Sequence, residues 1–441
     1  MSRQLTGITN TPRCSRNSFG CAVLPALFAL FALPAYAGVP KGLRDPEFER
    51  LQFAKWSTAA GQSHIKWSVE TPPPELSTHQ RLLIRAVIRI DGRELEKRRG
   101  EGEFVVLLQT TDSAGQVWQI HTSVDLATMQ PYMQNRDLYI THYAFVLPGD
   151  YTLAIAVCDS RTLEHSLVTH RVHVDPVKDE PLPHAFDGLP TVEYVPPIDG
   201  TPDVWYLPGL EARLNLPVKT KRRVRLQVLV NATPSERSMG SAAALRRNMS
   251  LLIPALKVFS NLELSNGSVE VALLDLAHRK VVFEQEGGLD WYELRKFFTS
   301  TKAGIVDAQT LANEWKMRGY FMEELLRRLR APLDDEVRVV IVLSGPAFLE
   351  DPSRLTWESE PPDPARQLFY IRYRTLPVRY PPRNRPGVRP VPQRPTTVNV
   401  PMLNDDLQSV AIALNGKVFD ATSAEQFRRI FATILEQLAR L

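Results

Sequence analysis

The 441-residue chain carries 53 Lys and Arg against 49 Asp and Glu, a formal net charge of +4, with 44% hydrophobic residues. That balance is unlike an intrinsically disordered chain and by itself says nothing about a polyanionic partner, and the length is more than one hydrophobic core ordinarily serves. Three cysteines, Cys14, Cys21 and Cys158, are too few for a disulfide-stapled scaffold.

Residues 1–37 have the three-part grammar of a secretory signal peptide. Arg3, Arg13 and Arg16 give a basic leader, Cys21 to Leu33 is an apolar run, and Ala35-Tyr36-Ala37 presents small residues where a signal peptidase reads. The apolar run is shorter than the roughly 20 residues of a spanning helix. A secreted or periplasmic protein is therefore expected, with cleavage after Ala37 and no stable membrane insertion afterwards. Removing the leader lowers the net charge to about +1 and leaves Cys158 without a partner.

Residues 38–175 are expected to form a β-sandwich domain. Leu82, Ile84, Ala86, Ile88 and Ile90 repeat with period two, as do Tyr151, Leu153, Ile155 and Val157. Further strand-like runs are Phe104–Thr110, Val117–Val124, Leu138–Leu147 and Leu167–Val174, punctuated by turn signals at Asp112–Gly115 and Pro148–Asp150. Leu147-Pro-Gly-Asp-Tyr-Thr-Leu153 resembles a hairpin of bacterial immunoglobulin-like modules. Residues 176–221 follow as a proline-rich linker with lead-in strands; Pro176, Pro181, Pro183, Pro190, Pro196, Pro197 and Pro202 forbid a helix or a central strand.

From residue 222 the pattern becomes alternating strands and helices. Val224–Val230, Val269–Leu274, Lys280–Phe283, Val337–Leu343 and Leu368–Tyr373 are strands, with Lys417–Phe419 at an edge. Leu245 to Phe259 has helical spacing, with a kink or shortening expected at Pro254. Other helices are expected after Asp290, from Asp307 to Arg330, over Leu407–Leu414, and from a capping box of Thr422 and Glu425 to Leu441. Such alternation implies a mostly parallel, doubly wound α/β sheet covered on both faces.

Two segments carry a family resemblance. Val228-Leu-Val-Asn-Ala-Thr-Pro-Ser-Glu-Arg-Ser-Met239 is a buried strand running into a polar loop, and Leu407 to Thr422 is a helix leading to a short strand. In this order and spacing, residues 222–441 resemble the von Willebrand factor A domain, and more narrowly the secreted A-domain-related proteins of bacteria. The resemblance implies a site where an Asp-x-Ser-x-Ser loop, a later Thr and a later Asp hold a divalent cation that meets a partner's carboxylate. The matching positions are Asn231, Thr233 and Ser235, with Ser344 where the later Asp is expected; the later Thr falls among Thr299, Thr301 and Thr310. Both matched carboxylates are replaced by neutral groups, and neutral oxygens compete poorly with water for a hard divalent ion. No metal and no cofactor is expected; the ordinary reading of these residues is loop and cap positions at strand ends. Glu236, Glu350 or Asp351 would have to supply a substitute charge.

A proline- and arginine-rich insertion covers residues 375–401. Between Pro364 and Asn404 there is no acidic residue but eight arginines, Arg366, Arg372, Arg374, Arg379, Arg383, Arg385, Arg389 and Arg394. The segment should be extended and exposed, its guanidinium groups unpaired locally: either a docking arm, chiefly Arg379, Arg383, Arg385, Arg389 and Arg394, or a solvated insertion. Nucleic acid is not expected as a partner, since stacking aromatics are few. No Gly-x-Ser-x-Gly, phosphate loop or dinucleotide fingerprint is present, so no catalytic residue is assigned. The function expected is non-enzymatic, metal-independent binding of a protein or an anionic envelope polymer. The alternatives are an envelope-acting hydrolase with unrecognised catalytic residues and metal-dependent adhesion through substitute carboxylates.

Overall fold

Alternation of apolar and polar side chains sets the first half of the chain. The computed structural model describes residues 43–58, 65–129, 136–195, 212–233, 242–287, 289–290, 293–294, 316–332, 335–347, 361, 363–374 and 405–441. The expected leader, Ser235, Glu236, Glu350, Asp351, the three threonines and the five arm arginines lie outside them.

Helices α1 (Pro46–Arg50) and α2 (Phe53–Thr58) precede β1 (Trp67–Glu70), β2 (Glu75–Leu76) and β3 (Leu82–Ile90). Helix α3 (Gly92–Lys97) leads into β4 (Glu103–Asp112), β5 (Val117–Asp125), β6 (Leu138–Val146), β7 (Gly149–Asp159), β8 (His165–Val174) and β9 (Val192–Val195). They form two antiparallel sheets: β1-β3-β6-β9, with β2 also on β3, and β5-β4-β7-β8. Leu82, Ile84, Ala86, Ile88 and Ile90 share one core with Phe104, Val106, Leu108, Leu153, Ile155 and Val157 of the second sheet. The other face of β4 and β7 is also dry, because Phe48, Leu51, Phe53 and Trp56 of the α1–α2 region cover Val105, Leu107, Ala156 and Cys158. Burial, with Asp159 adjacent, pushes the Cys158 thiol up to about 12.

The proline-rich stretch differs from a free linker. Val192–Val195, proline-free between Pro190 and Pro196, pairs with β6 in the first sheet, and Tyr194 donates to Thr110 Oγ1 at 2.9 Å. Ala185 is buried in the next core, with Leu182 and Phe186 packed against it. Prolines stop a strand only where they stand, and here they delimit one.

The second half contains β10 (Leu216–Val218), β11 (Arg223–Asn231), α4 (Ala242–Ser260), β12 (Leu262–Leu264), β13 (Gly267–Asp275) and β14 (Lys280–Glu286). It continues with α5 (Met317–Leu329), β15 (Glu336–Ser344), β16 (Arg366–Tyr373), α6 (Asp406–Ala413), β17 (Lys417–Ala421) and α7 (Ala424–Arg440). The strand order is β14-β13-β11-β15-β16-β17. Only β14 is antiparallel to its neighbour within this sheet. Residues of α4 and α7 pack on one face of the sheet, and residues of α5 and α6 on the other. Gly267 starts β13 at φ +154°, where a Cβ would lie 2.0 Å from the Val224 carbonyl oxygen; only glycine tolerates that approach.

Two local expectations change. Helix α4 runs through Pro254 without ending, so of the kink or shortening expected there the shortening does not occur; burial of Leu252, Leu256 and Phe259 offsets the lost backbone bond. The cap of α7 is shifted one residue: Ser423 Oγ accepts from Gln426 N, and Gln426 Oε1 accepts from Thr422 N.

The described residues from 43 to 441 belong to one compact unit. Arg428 of α7, 1% exposed, gives both Nε and Nη2 to the Glu180 carboxylate at 2.8 and 2.9 Å and Nη1 to the Gln80 carbonyl at 3.2 Å. Gln80 Nε2 donates in return to the Ala424 carbonyl. Arg428→Met should cost about 3 kcal/mol in urea unfolding, the low end for breaking a buried pair, because Glu180 keeps some access to water.

A second buried charge cluster lies under α5. Arg328 donates to Glu270 at 2.8 Å, to Glu324 at 2.7 Å and to Glu284 at 2.5 Å. Burial opposes ionisation of Glu270, but hydrogen bonds from Gln227 and Arg328 outweigh it and take its carboxyl from 4.5 to about 2. A carboxyl more acidic in the folded state stabilises fully above its unfolded value and loses that contribution as pH falls. Unfolding free energy should therefore decline between pH 4.5 and about 2, and Glu270→Gln should flatten that acid limb.

Candidate functional site

The carboxyl ends of β11 and β15 meet where the chain leaves the sheet on opposite sides, the usual crevice of an open α/β sheet. Parallel register sets Val230 beside Leu343 and Ser344 beside Arg372, so Asn231, Ser344 and Arg372 form a transverse row on the face packed by α5 and α6. Asn231 is 2% exposed, Thr233 4% and Ser344 0%.

Asn231 Nδ2 donates to Ser344 Oγ at 3.0 Å, and its Oδ1 accepts from Thr233 N at 3.0 Å. Thr233 Oγ1 accepts from Leu276 N at 2.7 Å, tying the loop after β11 to the end of β13. Ser344 Oγ donates to the Gly345 carbonyl. The three described positions are thus brought together, but as an internally satisfied, water-excluded network. Their oxygens face protein donors, so they do not fit the ligand set of a hard divalent cation. All three side chains, expected as a binding face, are buried against protein groups. Among the described residues no three His, Cys, Asp or Glu side chains converge as a metal site requires.

Charge at this end of the sheet comes from residues that sequence reasoning missed. Tyr370 donates to Asp405 Oδ2 at 3.0 Å, and Asp405 Oδ1 accepts from Gln408 N at 2.6 Å, capping α6. Arg372 reaches Asp420 at 2.5 Å, Gln408 Oε1 at 3.0 Å and Asp405 at 3.5 Å. Its 2% exposure corrects, for Arg372, the expectation of an unpaired guanidinium: β16 is a central strand, and Leu368, Tyr370 and Arg372 are buried on one face. Burial, with Asp405 beside it, holds the Tyr370 phenol well above its usual range. Burial also raises the Asp405 carboxyl, opposed by the Gln408 amide and the Arg372 charge. Asp405 was legible as a helix cap three residues before Gln408; its pairing with Tyr370 and Arg372 has no local signal.

No family model and no curated protein matches this chain. Among solved structures it is similar to the X-ray structure of Northeast Structural Genomics Consortium target SoR45. The identity is 15%, over 26% of this chain and 90% of that one, with a TM-score of 0.17; a likeness this slight carries no argument. Among the described residues no helix is long and apolar enough to cross a membrane.

Ser344→Ala should cost about 1–3 kcal/mol in chemical unfolding, since it leaves the buried Asn231 amide without its acceptor. Asn231→Ala should cost less when added to Ser344→Ala than alone, and equal costs would mean the two groups are not coupled.

Proposed function

We propose that residues 222–441 form a von Willebrand A-like domain acting as a metal-independent binding module, preceded by an immunoglobulin-like β-sandwich. In this reading the protein is exported and non-enzymatic, and it takes a protein or an anionic envelope polymer as partner. The observation that carries the reading is the buried Asn231–Ser344 hydrogen bond at the crossover of the central sheet. It closes with two neutral groups the place where the family resemblance puts a cation between carboxylates. The strand order, with a single antiparallel edge strand, supports the same assignment. Beside this pair Arg372 is held between Asp405 and Asp420, so its charge is balanced within the fold.

Calorimetric titration of the whole protein with Mg²⁺, Mn²⁺ and Ca²⁺ tests the metal-independent reading. No saturable heat is expected from any of the three, whereas clear binding of one would overturn it. Asn231→Asp combined with Ser344→Asp should create divalent-dependent thermal stabilisation absent from the parent protein.

A further inference from the structure

The opposite end of the same sheet carries a second transverse row. Arg225, Arg338 and Arg366 are register neighbours on β11, β15 and β16. They lie six residues before Asn231, Ser344 and Arg372 on the same face, roughly 20 Å away at the rise of a strand. Adjacent like charges repel, and a folded protein tolerates such a row where anions face it. Arg225 donates to Glu270 at 3.2 Å, Arg338 to Glu336 at 3.4 Å and to the Arg328 and Pro332 carbonyls at 2.9 Å, and Arg366 lies 3.6 Å from Asp363. The Nε of all three is shielded from solvent with no hydrogen-bond partner among the described residues.

Arg366 opens from this row into a cleft of about 500 Å³ formed by the ends of α5, α6 and α7 against β16. That volume suits a small organic ligand. Its side chains include Arg330, Arg366, Lys417 and Arg440, of which Arg366 lies 3.6 Å from Asp363 and Arg440 3.7 Å from Glu436, while Leu329, Leu368 and Leu414 supply apolar wall. Lys417 is exposed, with Nζ donating to Gln437 Oε1 at 2.6 Å and lying 5.8 Å over the Phe369 ring. A cationic rim around an apolar floor discriminates for a ligand with both properties.

We propose that this cleft is a binding site for a small amphipathic anion, one whose carboxylate or phosphate head meets Arg366 and Lys417 while its apolar body lies against Leu329 and Leu414. The site stands apart from the Asn231–Ser344 row and does not depend on the A-like reading.

The test is calorimetric titration of the whole protein with octanoate and with octyl phosphate, below micelle formation, against octanol and inorganic phosphate. Saturable one-to-one binding of at least one amphipathic anion is expected, about tenfold or more tighter than octanol or inorganic phosphate. The two anionic arms tell which head group the site prefers. Lys417→Gln and Arg366→Gln should each weaken binding by about tenfold with the melting temperature of Lys417→Gln unchanged, as loss of a charge-assisted contact demands. The exposed Lys417 decides the matter should Arg366→Gln fail to fold. Absence of saturable binding by both anions, or undiminished affinity in Lys417→Gln, overturns the proposal.

Discussion

Parallel registration of β11 against β15, and of β15 against β16, is the constraint on which both polar rows depend. Side chains on neighbouring strands share a face only if the register is in phase, and a slip of one residue would invert a whole strand. The middle of the face is apolar, with Leu229, Val340, Val342, Leu368 and Tyr370 buried against residues of α5 and α6. That apolar centre pays for the polar ends: a slip would carry Arg338 and Arg366 onto the face packed by α4 and α7. Hydrophobic burial therefore holds the arginines abreast at one end and brings Asn231 to Ser344 at the other.

Much of the strand and helix layout was legible because it rests on periodicity. The alternation from Leu82 to Ile90 and the apolar run from Val337 to Leu343 need no tertiary information. What escaped were features decided by distant partners. Pro254 inside α4 and the strand Val192–Val195 depend on packing that single-sequence propensity does not contain. Arg372 was legible as a strand residue, but its partner Asp420 on the parallel neighbour β17 was not.

The candidate site was half legible in the same sense. Asn231, Thr233 and Ser344 were identified as standing together at strand ends, and they do meet. Their degree of burial was not readable, because it is set by Tyr370 of the neighbouring strand and by Asp405 at the start of α6, which arrive on the same face. Arg328 gives a parallel lesson. A buried guanidinium is costly to desolvate, and its three carboxylate partners come from α5, β13 and β14. The set is spread over residues 270–328, beyond the reach of any local sequence pattern.

The clamp made by Arg428 bears on how the chain would respond to cutting. Glu180 and Gln80 precede residues 196–211, while Arg428 and Ala424 follow them. A single protease nick in that interval would sever the covalent connection without undoing the guanidinium–carboxylate grip. The two fragments would travel as one particle through gel filtration and part only in denaturant, so intactness on a native column would be no proof of an intact backbone.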